Sequence, residues 1–478
     1  MSELCDLSAV DLRRLIGAKA ISPVELLESC LARIEAANPT WNAIVALDRD
    51  AAYAQARAAE QAVMDGAPLG PLHGLPVGIK DLNETEGLVT TFGSPLFKDY
   101  VPPHDDRLVA SLRSAGGLIF AKTNTPEFGA GANTVNEVYG FTGNALDPGK
   151  TASGSSGGSA VALAHGMLPL ASGSDLGGSL RTPAAYNGVV GFRPSVGQVA
   201  EPARSLAWWP LSVEGPMGRS VADMALMLSV LAGRDEADPL SGAVAAGDDA
   251  GAAPGDLSSL RVAVSEDLGF APVDDGIRAV FQERVGRFAG LFHACEAKDP
   301  PLKGADRIFE VLRAVGFLAN FKKLLDTSPD QVGPNVTNNT KLGLEFSALD
   351  VAEALTEHTR LYRRFLRFMG DWDLLIAPTA SVPPFDKTVL YPETINGKPL
   401  KTYISWIGIT YGITLTAHPV VVLPCGLDRT GMPFGIQLVG RRGQEAALIA
   451  AAMALEGELA RIEVCRPARP EPASAVPV

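Results

Sequence analysis

Apolar positions recur at helical spacing through the first sixty residues. Leu12, Leu15 and Ile16 follow Ser8-Ala-Val-Asp11, a Ser-x-x-Asp arrangement that caps a helix start. A second start at Ser22-Pro23-Val-Glu25 places proline in the first turn, with Leu26, Leu27, Cys30, Leu31 and Ile34 pointing inward until Asn38-Pro39 ends the helix. A third helix is predicted over 50–64, closed by Asp65-Gly66. The pattern then changes. Residues 77–79 and 117–121 are short apolar runs of the buried-strand kind, separated by a helical run at 108–112. Helices alternating with apolar strands predict α/β layering, with a sheet between helices.

Further along, Ser220-Val-Ala-Asp223 caps a helix over 224–231, and residues 233–259, rich in Ala, Gly, Asp and Pro, form an exposed connection. Strands are predicted at 261–264, 373–378, 420–424 and 435–440, and a last helix at 445–459. Residues 273–370 are mainly helical, broken by a polar loop at 326–340. Residues 383–401 have no period and are expected to be a flexible segment over a cleft. The tail 467–478 carries four prolines and should fray. No internal repeat is present.

One stretch breaks both periods. Thr151 to Ala160 hold four serines and three glycines, too flexible and polar for an element interior. An apolar run follows over 161–170, and then a second glycine-serine turn, Ser172-Gly-Ser-Asp-Leu-Gly-Gly-Ser179. Two such turns around a buried segment point to a site in which backbone amides bind the ligand.

Composition narrows the function classes. The 478 residues are 46% hydrophobic and 20% charged, enough for a sizeable core, and the net charge of −13 argues against a nucleic-acid binder and a polybasic membrane anchor. Five scattered cysteines show neither a disulfide framework nor a zinc spacing, and no cofactor motif occurs. No leader or membrane-length apolar run is seen, so a cytoplasmic chain is expected.

Three chemistries can be tested against the glycine-serine turns. A serine hydrolase elbow, Gly-x-Ser-x-Gly, is missing, and the six histidines share no motif. His73 reads as a structural histidine. A phosphate loop of the Gly-x-x-x-x-Gly-Lys-Ser/Thr form is also missing. The third chemistry is a serine activated by a neutral lysine through another hydroxyl. Lys80, at the end of the 77–79 strand, is the candidate, either carried inward as a base or emerging as an ordinary surface lysine.

The motifs Gly154-Ser155-Ser156-Gly157-Gly158-Ser159-Ala160, Gly173-Ser-Asp-Leu-Gly-Gly-Ser179-Leu-Arg181-x-Pro183 and Gly188-Val-Val-Gly191-Phe-Arg-Pro194 closely resemble those of the amidase signature family. His73-Gly-Leu-Pro-Val-Gly-Ile-Lys80-Asp81, Lys122-Thr-Asn-Thr-Pro-Glu-Phe-Gly129 and Gly215-Pro-Met-Gly-Arg-Ser-Val-Ala-Asp223 extend the likeness. It is strong over residues 5–232 and continues at Thr379, 419–424 and 435–440. The resemblance implies one large α/β domain over 1–466, a mixed β-sheet covered by helices on both sides. It divides into a helical segment 1–66, a signature core 67–232, a variable segment 233–370 and C-terminal strands and helix 371–466.

The resemblance further implies a Ser-cisSer-Lys triad with no metal or cofactor: Ser179 as nucleophile, Lys80 as base and Ser155 as the bridging serine. The amides of Leu176, Gly177, Gly178 and Ser179 would receive the oxyanion, and Ser156, Asp175 and Arg181 would orient the turn. One departure is visible, Ser153 where the family has glycine. The implied activity is hydrolysis of aryl or alkyl amides, with carbamates (a urethanase-like branch) or esters as further substrates. The alternatives are a glutamine-hydrolysing component of a tRNA-dependent amidotransferase and, from another class, a non-catalytic small-molecule binding protein. Phe128, Tyr139, Trp208, Trp209 and Trp406 are candidates for an aromatic pocket. The expected partner is a small amide or carbamate, without nucleic acid or membrane, and the chain a monomer or homodimer.

Overall fold

The computed structural model describes residues 3–242 and 253–470. Eleven strands hydrogen-bond into one sheet: β1 (Ile44–Leu47), β2 (Pro76–Lys80), β3 (Leu118–Thr123), β6 (Leu170–Asp175), β7 (Val190–Arg193), β8 (Val213–Gly218), β9 (Arg261–Val264), β10 (Ala294–Ala297), β11 (Leu374–Pro378), β14 (Val420–Leu427) and β15 (Pro433–Val439). Two hairpins, β4 (Val135–Asn136) with β5 (Gly140–Phe141) and β12 (Thr394–Ile395) with β13 (Lys398–Pro399), lie outside it. The order is β1-β3-β2-β6-β8-β7-β14-β15-β11-β9-β10. The sheet is mixed: β2 runs parallel to β3 and β6, whereas β8, β7, β14 and β15 pair antiparallel in turn.

Among the described residues thirteen α-helices accompany the sheet: α1 (Ala9–Gly17), α2 (Pro23–Trp41), α3 (Arg49–Met64), α4 (Arg107–Ser114), α5 (Gly157–Ala164), α6 (Arg181–Asn187), α7 (Val221–Leu231), α8 (Asp275–Phe288), α9 (Ala305–Thr327), α10 (Pro334–Glu345), α11 (Ala348–Phe368), α12 (Gly408–Thr414) and α13 (Glu445–Leu459). Strand β3 shows how they cover both faces. Leu118 and Phe120 pack into a core with Leu27 and Leu31 of α2, Ala52 and Ala56 of α3 and Val161 of α5. Ile119, pointing the other way, joins Leu12, Leu112 and Leu228 from α1, α4 and α7. A strand covered on both faces reads as a continuous apolar run, which is why the sequence pattern finds β2 and β3. Among the described residues no helix is long and apolar enough to cross a membrane.

Several expectations are corrected. The 151–160 stretch is not free of regular structure, since α5 begins at Gly157. Its glycines serve close packing: a Cβ on Gly158 would lie 2.3 Å from the Asn124 nitrogen. The polar loop expected at 326–340 is in part α10, whose Asn339 and Thr340 are buried and hydrogen-bonded rather than solvated. Helix α2 runs past Asn38-Pro39 to Trp41, and the Asn38 side chain instead accepts from the amides of Ala43 and Ile44. Strands β1, β7, β8 and β10 have no counterpart in the sequence reading, and β6 occupies Leu170–Asp175, where it placed the end of an apolar run and the start of a glycine-serine turn. Glycine and proline dilute the pattern in β8, Val-Glu-Gly-Pro-Met-Gly. The described parts of 233–259 are mostly exposed, and residues 243–252 and 471–478 of the expected connection and tail lie outside the described residues.

Candidate active site

The carboxyl ends of β2 and β6 lie beside the start of α5, and side chains from all three converge there. Lys80, the last residue of β2, has none of its surface exposed. Its Nζ donates to three hydroxyls: Ser155 Oγ at 2.7 Å, Ser156 Oγ at 2.9 Å and Ser174 Oγ at 2.9 Å. Its own amide donates to Ser172 Oγ at 2.9 Å. Burial lowers the Lys80 ammonium to about 7, with Asp175 and Glu214 pulling the other way. Of the two positions the sequence leaves open for this lysine, the structure shows the interior one.

The donor count shows what this cluster can do with a proton. A charged lysine has three N–H donors, and three hydroxyls accept them. A neutral amine has two donors and one lone pair. Deprotonation therefore requires one hydroxyl to turn and donate to Nζ, and Ser155 is the nearest.

Ser155 and Ser156 belong to a loop tied to the second turn, where the Ser156 amide donates to the Ser179 carbonyl at 3.3 Å. The Gly154–Ser155 peptide is cis. Ser179 and Ser155 line the same cavity, and the Ser179 hydroxyl makes no hydrogen bond among the described residues. The turn itself is organised by Asp175, which accepts from Gly178 N at 2.9 Å, Leu180 N at 3.1 Å, Arg181 Nε at 2.9 Å and Arg193 Nη1 at 3.0 Å. Burial alone would raise the Asp175 carboxyl, but the Arg181 and Arg193 guanidiniums outweigh it and hold it well below the usual carboxylate range.

The four expected amides differ in their surroundings. The Gly178 N–H is engaged by Asp175, whereas those of Leu176, Gly177 and Ser179 make no hydrogen bond among the described residues. Gly178 is held in the turn for another reason: its φ is +137°, and a Cβ there would lie 2.5 Å from Thr410 Oγ1. Thr410 Oγ1 donates to the Gly177 carbonyl at 2.6 Å, which helps to aim this segment.

A profile of the Amidase family matches residues 25–449. The chain belongs to the amidase family. It is 34% identical to an acylamidase of Rhodococcus erythropolis over 94% of this chain and 95% of that protein. It is 33% identical to a glutamyl-tRNA(Gln) amidotransferase component of Chloroflexus aurantiacus over 94% and 96%. Among solved structures, a bacterial aryl acylamidase of the amidase signature enzymes superposes with a TM-score of 0.89 at 28% identity, covering 99% of each chain.

In this amidase-family chain the two turns border a cavity of about 280 Å³. Phe128, Trp209 and Trp406 line it, together with Phe309, Phe317, Phe321 and Tyr403, which the sequence did not single out. Tyr139 and Trp208 do not. Trp208 is 76% exposed on the surface, and Tyr139 lies by the β4–β5 hairpin, where Asn42 holds its carbonyl. Leu390 and Tyr391, from the expected segment over a cleft, line the cavity, and Asn133 ties that segment down through the Lys387 and Val389 carbonyls.

Ser153, the departure from the family's glycine, sits at φ +60°. That is the left-handed region where glycine is unstrained, and the serine is held by its Oγ donating to the Ala132 carbonyl at 3.2 Å. His73 is structural, its ring bonded to the Ala59 carbonyl at 2.9 Å. Ser174 and Arg193 were missed by the sequence reading. The alternation of β6, which puts Ser172 and Ser174 on the face toward Lys80, is the signal that could have found Ser174.

Proposed function

We propose that this protein hydrolyses the C–N bond of small aryl or alkyl amides through an acyl-Ser179 intermediate. Carbamates are the next substrate class on the same chemistry. The observation that carries this reading is the sealed contact of Lys80 with serine hydroxyls alone, next to a cavity lined by Ser155 and Ser179.

Neutral Lys80 takes the Ser155 proton as Ser155 takes that of Ser179, and Ser179 Oγ adds to the amide carbonyl. The unengaged amides of Leu176, Gly177 and Ser179 receive the oxyanion. Ser156, Asp175 and Arg181 hold the two turns in place. The proton returns through Ser155 to the leaving nitrogen, the C–N bond breaks and the amine departs. Water then enters by the same relay, its proton going through Ser155 to Lys80 and its oxygen to the acyl carbon. The bond from that carbon to Ser179 Oγ breaks, the carboxylic acid leaves, and the proton returns from Lys80 through Ser155 to Ser179. The likeness to the Rhodococcus acylamidase and the aryl acylamidase supports the amide class. The four free cysteines in the interior fit a reducing compartment, and we place the enzyme in the cytoplasm.

The likeness to the Chloroflexus amidotransferase component favours a second reading, glutamine hydrolysis inside a larger complex. One experiment separates the two: the purified chain alone against acyl p-nitroanilides, primary amides including glutamine, and aryl carbamates. Partner-free anilide turnover that disappears in Ser179→Ala supports the first. Turnover of none of them, or of glutamine only when partner proteins are added, defeats it.

A further inference from the structure

Three charged side chains line the cavity: Glu201, Arg204 and Arg313. Two of them neutralise each other. Arg204 pairs with Glu201 and also donates to the Trp209 carbonyl at 3.0 Å. Arg313 is different. It is only 7% exposed, yet among the described residues no carboxylate lies within ion-pair distance of it.

Its one hydrogen bond there is from Nη1 to Asn339 Oδ1. The guanidinium also lies over the rings of Phe317 at 4.5 Å and Tyr403 at 5.4 Å. These contacts fix its plane without supplying a counter-charge. Ring stacking is worth far less than the cost of taking a cation out of water. Five N–H donors in a rigid fork match a carboxylate, and most of them are unengaged.

We infer that Arg313 anchors a carboxylate carried by the substrate, so that the preferred amides are anionic ones with an apolar or aromatic spacer. This deepens the amide-hydrolysis reading and rests on it. The position on α9 sets the spacing. Phe309 abuts the oxyanion turn, its ring 3.2 Å from where a Gly177 Cβ would lie. Arg313 is one helical turn further along the same face, a rise of about 6 Å. The carboxylate therefore belongs a short chain away from the scissile carbonyl, and the rings of Phe317 and Tyr403 border its seat.

The test uses matched pairs in which an isopropyl group replaces the carboxylate. On the acyl side these are glutaryl and 5-methylhexanoyl p-nitroanilide; on the amine side, N-acetyl-4-aminobenzoate and N-acetyl-4-isopropylaniline. In at least one pair the anionic member should be favoured in kcat/KM by about tenfold or more, the size expected for hydrogen bonds to a charged group. Arg313→Met should remove that preference. Asn339→Asp, which gives Arg313 a carboxylate within the protein, should also remove it, and Arg313→Lys should retain part of it. The pair that responds shows on which side of the amide the anion lies.

A binding readout keeps this independent of turnover. Calorimetry on Ser179→Ala protein should show the anionic member of the responding pair binding about tenfold tighter than its neutral mate, and equally in Ser179→Ala/Arg313→Met. Neutral members favoured or equal in both pairs, or a preference untouched by all three variants, overturns the anchor. Anionic binding that needs Arg313 in a protein that hydrolyses no amide keeps the anchor and defeats the catalytic reading instead.

Discussion

Two lysines lie at or next to the carboxyl ends of neighbouring parallel strands, both fully buried, and they are surrounded in opposite ways. Lys80 at the end of β2 meets only hydroxyls, two of which line the cavity. Lys122 in β3 lies 3.8 Å from Asp81 and donates to the Asn83 carbonyl, Thr85 Oγ1 and Thr90 Oγ1, away from the cavity. Burial lowers both ammonium groups, Lys80 to about 7 and Lys122 to about 8, where Asp81 and Asp106 pull back against burial. The difference lies less in those values than in what the neighbours can do. A hydroxyl can accept a proton from one side and release one on the other, whereas Asp81 holds a charge in place. Burial depresses a lysine; its acceptors decide whether the lysine is a base or a tie.

The comparison predicts a clean division between loss of rate and loss of fold. Lys80→Met and Ser179→Ala should each lower kcat/KM for the best anilide by roughly 10⁴-fold or more with the circular dichroism unchanged. A folded Lys80→Met protein retaining a tenth of wild-type activity would make Lys80 another tie. Lys122→Met should do the reverse. It leaves Asp81 buried and unpaired, at a cost of about 3 to 5 kcal/mol in chemical denaturation, while kcat per folded molecule changes little.

The pH dependence sharpens the same contrast. As the proposed base, Lys80 must be neutral, so kcat/KM should rise about tenfold per pH unit below 7 and level off above it. Stability follows with a definite sign. The folded value of Lys80 lies below its unfolded value of about 10.4, so between the two the unfolded chain binds the additional proton. Stability contributed by Lys80 thus increases as pH rises from about 7 towards 10. The stability of the wild type relative to Lys80→Met should climb over that window, and a flat difference would show that Lys80 titrates normally. The smallest effect concerns the loop that carries Ser155. Ser153→Gly should relieve the left-handed strain and add up to about 1 kcal/mol, read as a shift in thermal midpoint.

Much of this site could be read in the chain because it is local. The apolar run 77–79 marked Lys80 as a candidate, leaving interior and surface open, and the 173–181 segment holds Asp175, its amides and Arg181 within a few residues. What could not be read is what the fold brings from elsewhere. Arg313 and Asn339 are 26 residues apart on two helices, and Asn339 falls in a stretch whose polarity suggests solvent. Polar residues look alike in sequence whether they face water or one another. Trp208 and Trp209 show the same limit: adjacent indoles, one on the surface and one in the cavity wall. The glycines at the head of α5 were legible as unusual, but not as contact points against Asn124, because close approach leaves no periodic trace.

Arg181 carries a last consequence. Its guanidinium bonds the Thr410 carbonyl, the Thr414 hydroxyl and Gln437, as many as 256 residues downstream. The segment bearing Ser179 is therefore braced by residues that leave the ribosome 229 to 256 residues after Arg181. A polypeptide terminated before Thr410 holds Lys80, Ser155 and Ser179, the proposed triad, and lacks the brace, so hydrolytic power should switch on only once residues 410–437 have been made.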